Sequence, residues 1–146
     1  MISENKLKHM LGVARRCEFL AKENGMSEDA QKACFVMGLL HDIGYENGVI
    51  DGHPERGFDY AEAFLSFPDA LDAIKKHGKP IEGDVSLFDI ILNTADLTTN
   101  YIGNLVSIED RLEGITERHS ASSTHYLHAL ETANFYNLFK GEDDNE

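Results

Sequence analysis

Apolar residues recur along this chain at intervals of three and four, and no window alternates with period two, so the pattern predicts helices throughout and no sheet. The first helix is expected from about Ser3 to Asn24, burying Leu7, Met10, Leu11, Ala14, Cys17, Phe19 and Leu20 and stopping at Gly25. Ser27 caps a second helix whose Ala33, Val36, Met37, Leu39 and Leu40 lead into His41 and Asp42. Ile43-Gly44 ends it, because glycine leaves a helix with no Cβ penalty. A loop with three glycines follows from Gly44 to His53, and Pro54 suits the first turn of a third helix reaching about Phe67. Pro68-Asp69 restarts the helical pattern, which continues to His77 until Gly78 and Pro80 break it. Another helix from about Ser86 carries Asp96 near its end. Ser107 caps the next, and Ser122 or Ser123 starts the last, which runs through Leu127, Leu130, Phe135 and Phe139. The chain reads as all-α, a compact multi-helix bundle forming one domain over residues 1–140, with an acidic tail at 141–146.

A length of 146 residues suffices for one buried core without disulfide or metal staples. Cys17 and Cys34 lie within amphipathic helical patterns and read as buried free thiols of a reducing compartment. No stretch reaches the apolar length of a membrane span, and Met1-Ile2-Ser3-Glu4-Asn5-Lys6 lacks the apolar region of a signal peptide, so a cytoplasmic protein is expected. The formal net charge of -13 weighs against a nucleic-acid polymer as partner, since an acidic surface repels the phosphate backbone. It leaves room for a small phosphorylated substrate, because bound divalent metals reverse the local sign of charge.

Chemistry concentrates at His41-Asp42-Ile43-Gly44, where an apolar run ends. Adjacent His and Asp offer one imidazole nitrogen and one carboxylate oxygen to the same divalent ion, and the acid can bridge to a second. Further candidates are His9, His53, His77 and the Asp96 of Thr94-Ala95-Asp96-Leu97. Each falls at a helix end or within an amphipathic helix, the way bundles build metal sites. Taken singly they read otherwise: His9 as a surface residue beside Lys8, His53 as a helix N-cap, His77 as a residue favoured by a helix C-terminus, and Asp96 as a surface acid. The ordered set reverses those readings. His119, His125 and His128 lie on a Ser-rich, partly polar segment and read as helix-surface histidines. Arg15, Arg16, Lys75, Lys76, Lys79 and Arg111 are the basic groups available for phosphate oxygens, with Lys76 and Lys79 foremost because they flank His77.

Between Lys8 and Tyr101 these residues resemble the HD-domain superfamily of metal-dependent phosphohydrolases, in the branch whose central motif reads HDIG. His53-Pro54-Glu55-Arg56-Gly57 and the Leu87-Phe88-Asp89-Ile90-Ile91-Leu92 run into Ala95-Asp96 carry the same likeness. The resemblance implies an HD-domain bundle with a metal site in the helical core. It implies His9, His41, Asp42 and Asp96 for one metal, and His53 and His77 as well for two, with Asp42 bridging. HD-GYP cyclic-dinucleotide phosphodiesterases differ: they carry a His-His-Glu-Arg-Trp-type loop where this chain has Lys76-His77-Gly78-Lys79-Pro80 and no Trp, and a Lys at the position of Tyr45. The order His, His-Asp, His, His, Asp in a short chain is closer to the bacterial HD hydrolases that split diadenosine tetraphosphate symmetrically.

The expected reaction is hydrolysis of a phosphate ester or anhydride of a small nucleotide or phosphorylated metabolite through a metal-bound hydroxide, with Asp42 bridging two divalent transition-metal ions and Lys76 and Lys79 meeting the phosphate. The family implies iron first; the ligand types also accept Mn, Co, Ni or Zn. Two other readings of the same residues stand beside it, a di-iron oxygenase on the HD fold and a regulatory module that binds a nucleotide without turnover. No membrane partner is expected, and a homodimer is left open.

Overall fold

Among the described residues, each helix start that the sequence marks with a serine or a proline is built that way. In the computed structural model, residues 3–43, 65–77, 81, 83–118 and 123–138 are described. Six helices occur among them: α1 Glu4–Glu23, α2 Glu28–Leu40, α3 Pro68–Lys76, α4 Leu87–Leu97, α5 Ile108–Arg118 and α6 Thr124–Phe135. Ser3, Ser27 and Ser123 each accept a bond from the backbone N–H three residues on, satisfying a donor that the first helical turn leaves unpaired. Ser86 does the same within a capping box completed by Asp89, and Ser107 accepts from the Asp110 N–H at 3.1 Å. Proline at the start of α3 loses no helical bond. The helix expected between Pro54 and Phe67 lies outside the described residues except at its end, where Phe67 is the extended N-cap of α3.

The helices α1 to α4 enclose one apolar cluster, built on Val13, Cys17, Cys34, Met37, Ile74, Ile91 and Leu92. A second, smaller cluster joins Leu97 to Ile108, Leu112 and Ile115 of α5 and Ala129 and Ala133 of α6. Ala95 belongs to the first cluster and Leu97 to the second, so Asp96 lies at the seam between the two cores.

The buried stripe of α1 differs from the one expected. His9, Met10, Val13, Ala14, Cys17 and Ala21 face inward, whereas Leu7 and Phe19 are half exposed and Leu11 also reaches solvent. Small residues occupy the seam because α2 comes very close. A Cβ added at Gly38 would stand 2.8 Å from the Ala14 Cα, so only glycine permits this approach. The same logic holds in α6, where Ala129 and Ala133 are buried while Leu127 and Phe135 are exposed. Among the described residues, no helix is long and apolar enough to cross a membrane.

Replacing Gly38 with Ala is expected to lower the unfolding free energy by about 1 to 3 kcal/mol, the cost of forcing a packed backbone apart. The matching change at Gly114 in α5, where an added carbon meets nothing within 4 Å, should raise it by up to about 1 kcal/mol through helix propensity. Urea denaturation of the two variants measures both; equal shifts of the same sign would refute the close α1–α2 crossing.

Candidate metal centre

Three helices deliver the site. His9 lies in the second turn of α1, His41 is the C-cap of α2 with Asp42 directly after it, and Asp96 is in the last turn of α4. One ligand atom from each of these four residues falls within 4.8 Å of all the others. His9 Nε2 is 2.9 Å from Asp96 Oδ1 and 3.6 Å from Asp42 Oδ2. His41 Nε2 is 3.1 Å from Asp42 Oδ2 and 3.4 Å from Asp96 Oδ1. His77, at the C-cap of α3, joins from the other side: its Nε2 is 3.3 Å from Asp42 Oδ1. The two oxygens of Asp42 thus face different histidines.

The protonation pattern follows from the backbone. His9 Nδ1 donates to the Asn100 carbonyl at 2.8 Å, His41 Nδ1 to the Gly38 carbonyl at 2.6 Å, and His77 Nδ1 to the Ile74 carbonyl. A carbonyl can only accept, so each Nδ1 carries a proton and each ring turns its Nε2 inward. Nε2 atoms crowded against two carboxylates need positive charge between them, as a proton or as a metal ion. His41 Nε2 shows the conflict most plainly: it is buried and makes no hydrogen bond of acceptable geometry despite the carboxylate 3.1 Å away. Burial disfavours a charged ring there, yet Asp42 and Asp96 outweigh it and raise the His41 pKa to about 10. Burial likewise opposes ionisation of the two acids, but His41 and Lys6 hold Asp42, and His41 and His9 hold Asp96, well below the usual carboxylate range.

This donor set fits a divalent ion. Nitrogen and oxygen ligands about 2.1 Å from one ion stand about 3.0 to 3.4 Å apart at right-angled or tetrahedral bonds, close to the separations of 2.9 to 3.6 Å between these histidines and carboxylates. Backbone carbonyls on the distal imidazole nitrogens are the supports that metal-ligating histidines usually have.

The loop after α4 is shaped to give His9 its support. Asn100 Oδ1 accepts the Ile102 and Asn104 N–H groups, and Thr99 pairs with Leu105 across the turn. Gly103, at φ 89°, lies against the Lys8 carbonyl where any Cβ would collide, so the loop rests on α1 beside His9.

Charged neighbours also take their places. Lys6 Nζ is 3.2 Å from Asp42 Oδ2. Arg111 of α5 bonds the Asp96 carbonyl through Nε at 3.3 Å and brings Nη2 to 3.9 Å from Asp96 Oδ1. Lys76, expected to meet a phosphate, lies 2.9 Å from Asp89 and 3.0 Å from Asp72. The buried Asp89 of the α4 capping box needs that cation. His53 and Lys79 lie outside the described residues, as does His119. Lys6 escaped the sequence reading, although its spacing of three from His9 on one helix face was the available signal. Arg111 was one of the six basic groups offered for phosphate but not one of the two placed foremost, and nothing in the sequence marks Asn100.

Comparison with known proteins agrees with this geometry. Over 145 residues the chain is 28% identical to a ribonuclease Y of Oleidesulfovibrio alaskensis, an alignment covering 88% of the chain and 27% of that protein. It is 32% identical over 96 residues to a ribonuclease Y of Deinococcus radiodurans, covering 64% of the chain and 16% of the relative. A stretch of 42 residues, 29% of the chain and 10% of the relative, is 45% identical to a 3'3'-cGAMP-specific phosphodiesterase of Vibrio cholerae. The chain therefore spans about a quarter or less of the length of each of these relatives. No solved structure matches it significantly. A match to the HD domain covers residues 7–101, the segment that contains His9, His41, Asp42, His77 and Asp96, and the chain belongs to the HD domain family.

Proposed function

We propose that the chain is a metal-dependent phosphohydrolase acting with two divalent ions on a phosphate ester or anhydride of a small nucleotide or phosphorylated metabolite. The observation that carries this reading is the convergence of three backbone-anchored imidazoles on Asp42 and Asp96. In it His9, His41, Asp42 and Asp96 hold one ion. His77 and His53 serve the second, with Asp42 between them, a role supported by the 3.3 Å approach of His77 Nε2 to the second Asp42 oxygen. Divalent metal bound there lowers the pKa of water and neutralises charge on the phosphoryl group. The chain itself keeps the rings oriented through Asn100, Gly38 and Ile74, and shields Asp42 and His41 from bulk water. Iron is the first choice of metal, with Mn, Co, Ni or Zn as substitutes.

Relatives named ribonuclease Y and 3'3'-cGAMP-specific phosphodiesterase support cleavage of a P–O bond, since both names denote phosphodiester cleavage. Preference for a small substrate rests on the net charge of -13, which repels a polymer's backbone more than it repels one phosphate group drawn to metal. Of the two lysines expected at the phosphate, Lys79 retains that role here, while Lys76 is engaged by carboxylates. A cytoplasmic setting belongs to the same reading, supported by two buried cysteines that form no disulfide.

Elemental analysis of protein purified with Fe or Mn supplied should find two ions per chain, and at free metal 100-fold above Kd each ion should stabilise the fold by about 2.7 kcal/mol. In Asp42→Ala at least one ion is lost and turnover falls to background, while circular dichroism keeps the helical signal. Near-normal turnover in that variant would refute the bridging role, and one ion per fully active chain would refute the binuclear site.

Substrate class is tested by offering mononucleotides, dinucleoside polyphosphates, cyclic dinucleotides, simple phosphomonoesters and short RNA to the metal-loaded chain. A small substrate should show kcat/KM at least tenfold above RNA. A preference for RNA would overturn the small-substrate assignment, and oxygen consumption without phosphate release would favour the di-iron oxygenase.

A further inference from the structure

We infer that Lys6 is a substrate-binding residue whose ammonium group takes an oxygen of the phosphoryl group that reacts beside Asp42. The inference rests on the phosphohydrolase reading and adds to it a residue of this chain. Lys6 lies in the first turn of α1, three positions before His9, so both side chains leave the helix on the same face. Its Nζ is 3.2 Å from Asp42 Oδ2, the oxygen that also faces His41 at 3.1 Å and His9 at 3.6 Å. The ammonium therefore stands at the edge of the cluster and not behind it.

Among the described residues, Lys6 and Arg111 both approach the carboxylates of this cluster, and their surroundings separate their roles. The Arg111 side chain is 9% exposed and its Nε is bonded to the Asp96 carbonyl, which fixes it as a support of α4. The Lys6 side chain is 30% exposed, so it reaches solvent and an arriving ligand. Lysine is a compact charge on a flexible stem, suited to following a phosphate as it binds. An Asp42 oxygen that shares its charge with a metal has less to give an ammonium group, and a phosphate oxygen beside it has more. The Lys76 ammonium cannot substitute without leaving the buried Asp89 unpaired. In a chain of net charge -13, an incoming phosphate needs a positive charge at the rim of two carboxylates.

The test uses the Mn-loaded chain with Lys6→Gln and Lys6→Arg, and inorganic phosphate as the probe in isothermal titration. Lys6→Gln should weaken phosphate binding about tenfold and raise KM for a hydrolysed phosphoester by a similar factor, the loss expected for a charged hydrogen bond. Its metal content and helical circular dichroism should match the parent chain, and Lys6→Arg should recover most of the affinity. Phosphate affinity unchanged in Lys6→Gln, or reduced only in proportion to lost metal, would overturn the inference and leave Lys6 a structural cation of the chain. Failure of the underlying reading looks different: the parent chain itself, with metal supplied, would then neither bind phosphate nor hydrolyse any phosphoester. A Lys6→Arg variant as weak as Lys6→Gln, with full metal content and intact helices, would also overturn it, because charge at this position would not be what matters.

Discussion

Two carboxylates, Asp42 and Asp96, stand together where α1, α2 and α4 meet, and the rest of the site answers to the cost of keeping them ionised. A buried anion is tolerated only when paired, hydrogen-bonded or coordinated. Among the described residues, nitrogens of His9, His41, His77, Lys6 and Arg111 approach the two carboxylates. The imidazoles give their Nδ1 protons to backbone carbonyls, which leaves each Nε2 turned toward the carboxylates. That arrangement makes the centre a receptor for positive charge and fixes which imidazole nitrogens face it.

The fold supports this by placing rigid backbone under every ring. His41 is held to the last turn of its own helix and His77 to the last turn of α3, so both are fixed by local geometry. His9 is mid-helix, where its own backbone carbonyls are already used, and it needs a carbonyl from elsewhere. The 98–106 turn provides it, braced by Asn100 and able to lie on α1 only because residues 12 and 103 are both glycine. Asp96 is fixed differently. Its helix turn joins two apolar clusters, and Arg111 binds its carbonyl from across the seam. Displacement of α5 would therefore be felt at the site through the Arg111 side chain.

Much of this was legible from the sequence, and the failures have a common cause. Helix starts were readable because Ser27, Pro68, Ser86, Ser107 and Ser123 satisfy local rules of backbone hydrogen bonding. His9, His41, Asp42, His77 and Asp96 were readable because their residue types recur in a family order. The inward face of α1 was legible only in part: Met10, Ala14 and Cys17 are buried as expected, but size and hydrophobicity favour Leu7, Leu11 and Phe19 where close packing selects His9, Val13 and Ala21. The alternative partner of Lys76 was not legible, because adjacency to His77 in sequence says nothing of an Asp89 that burial leaves in need of a cation. Local rules survive translation into three dimensions; rules about which side chain wins a shared partner do not.

The chemistry and the choice of substrate thus rest on separable parts of the chain. The centre is made of residues from α1, α2, α3 and α4 inside the segment matched to the HD domain, and its geometry would serve any phosphoryl group that a cation can polarise. Discrimination must come from charges and shapes around it. Lys76 is tied through Asp89 to the cap of α4, and Asn93 of the same helix reaches the Tyr136 hydroxyl at 3.5 Å beyond the end of α6, so this side of the bundle is committed to holding helices together. Positive charge free of such structural duty is scarce in a chain with 13 basic and 26 acidic residues. A polymer needs several such charges along its backbone, whereas a single phosphoryl group anchored at a cation cluster needs about one. Charge supply is therefore the ground on which a small substrate is proposed for this HD domain even though two of its relatives are named ribonucleases.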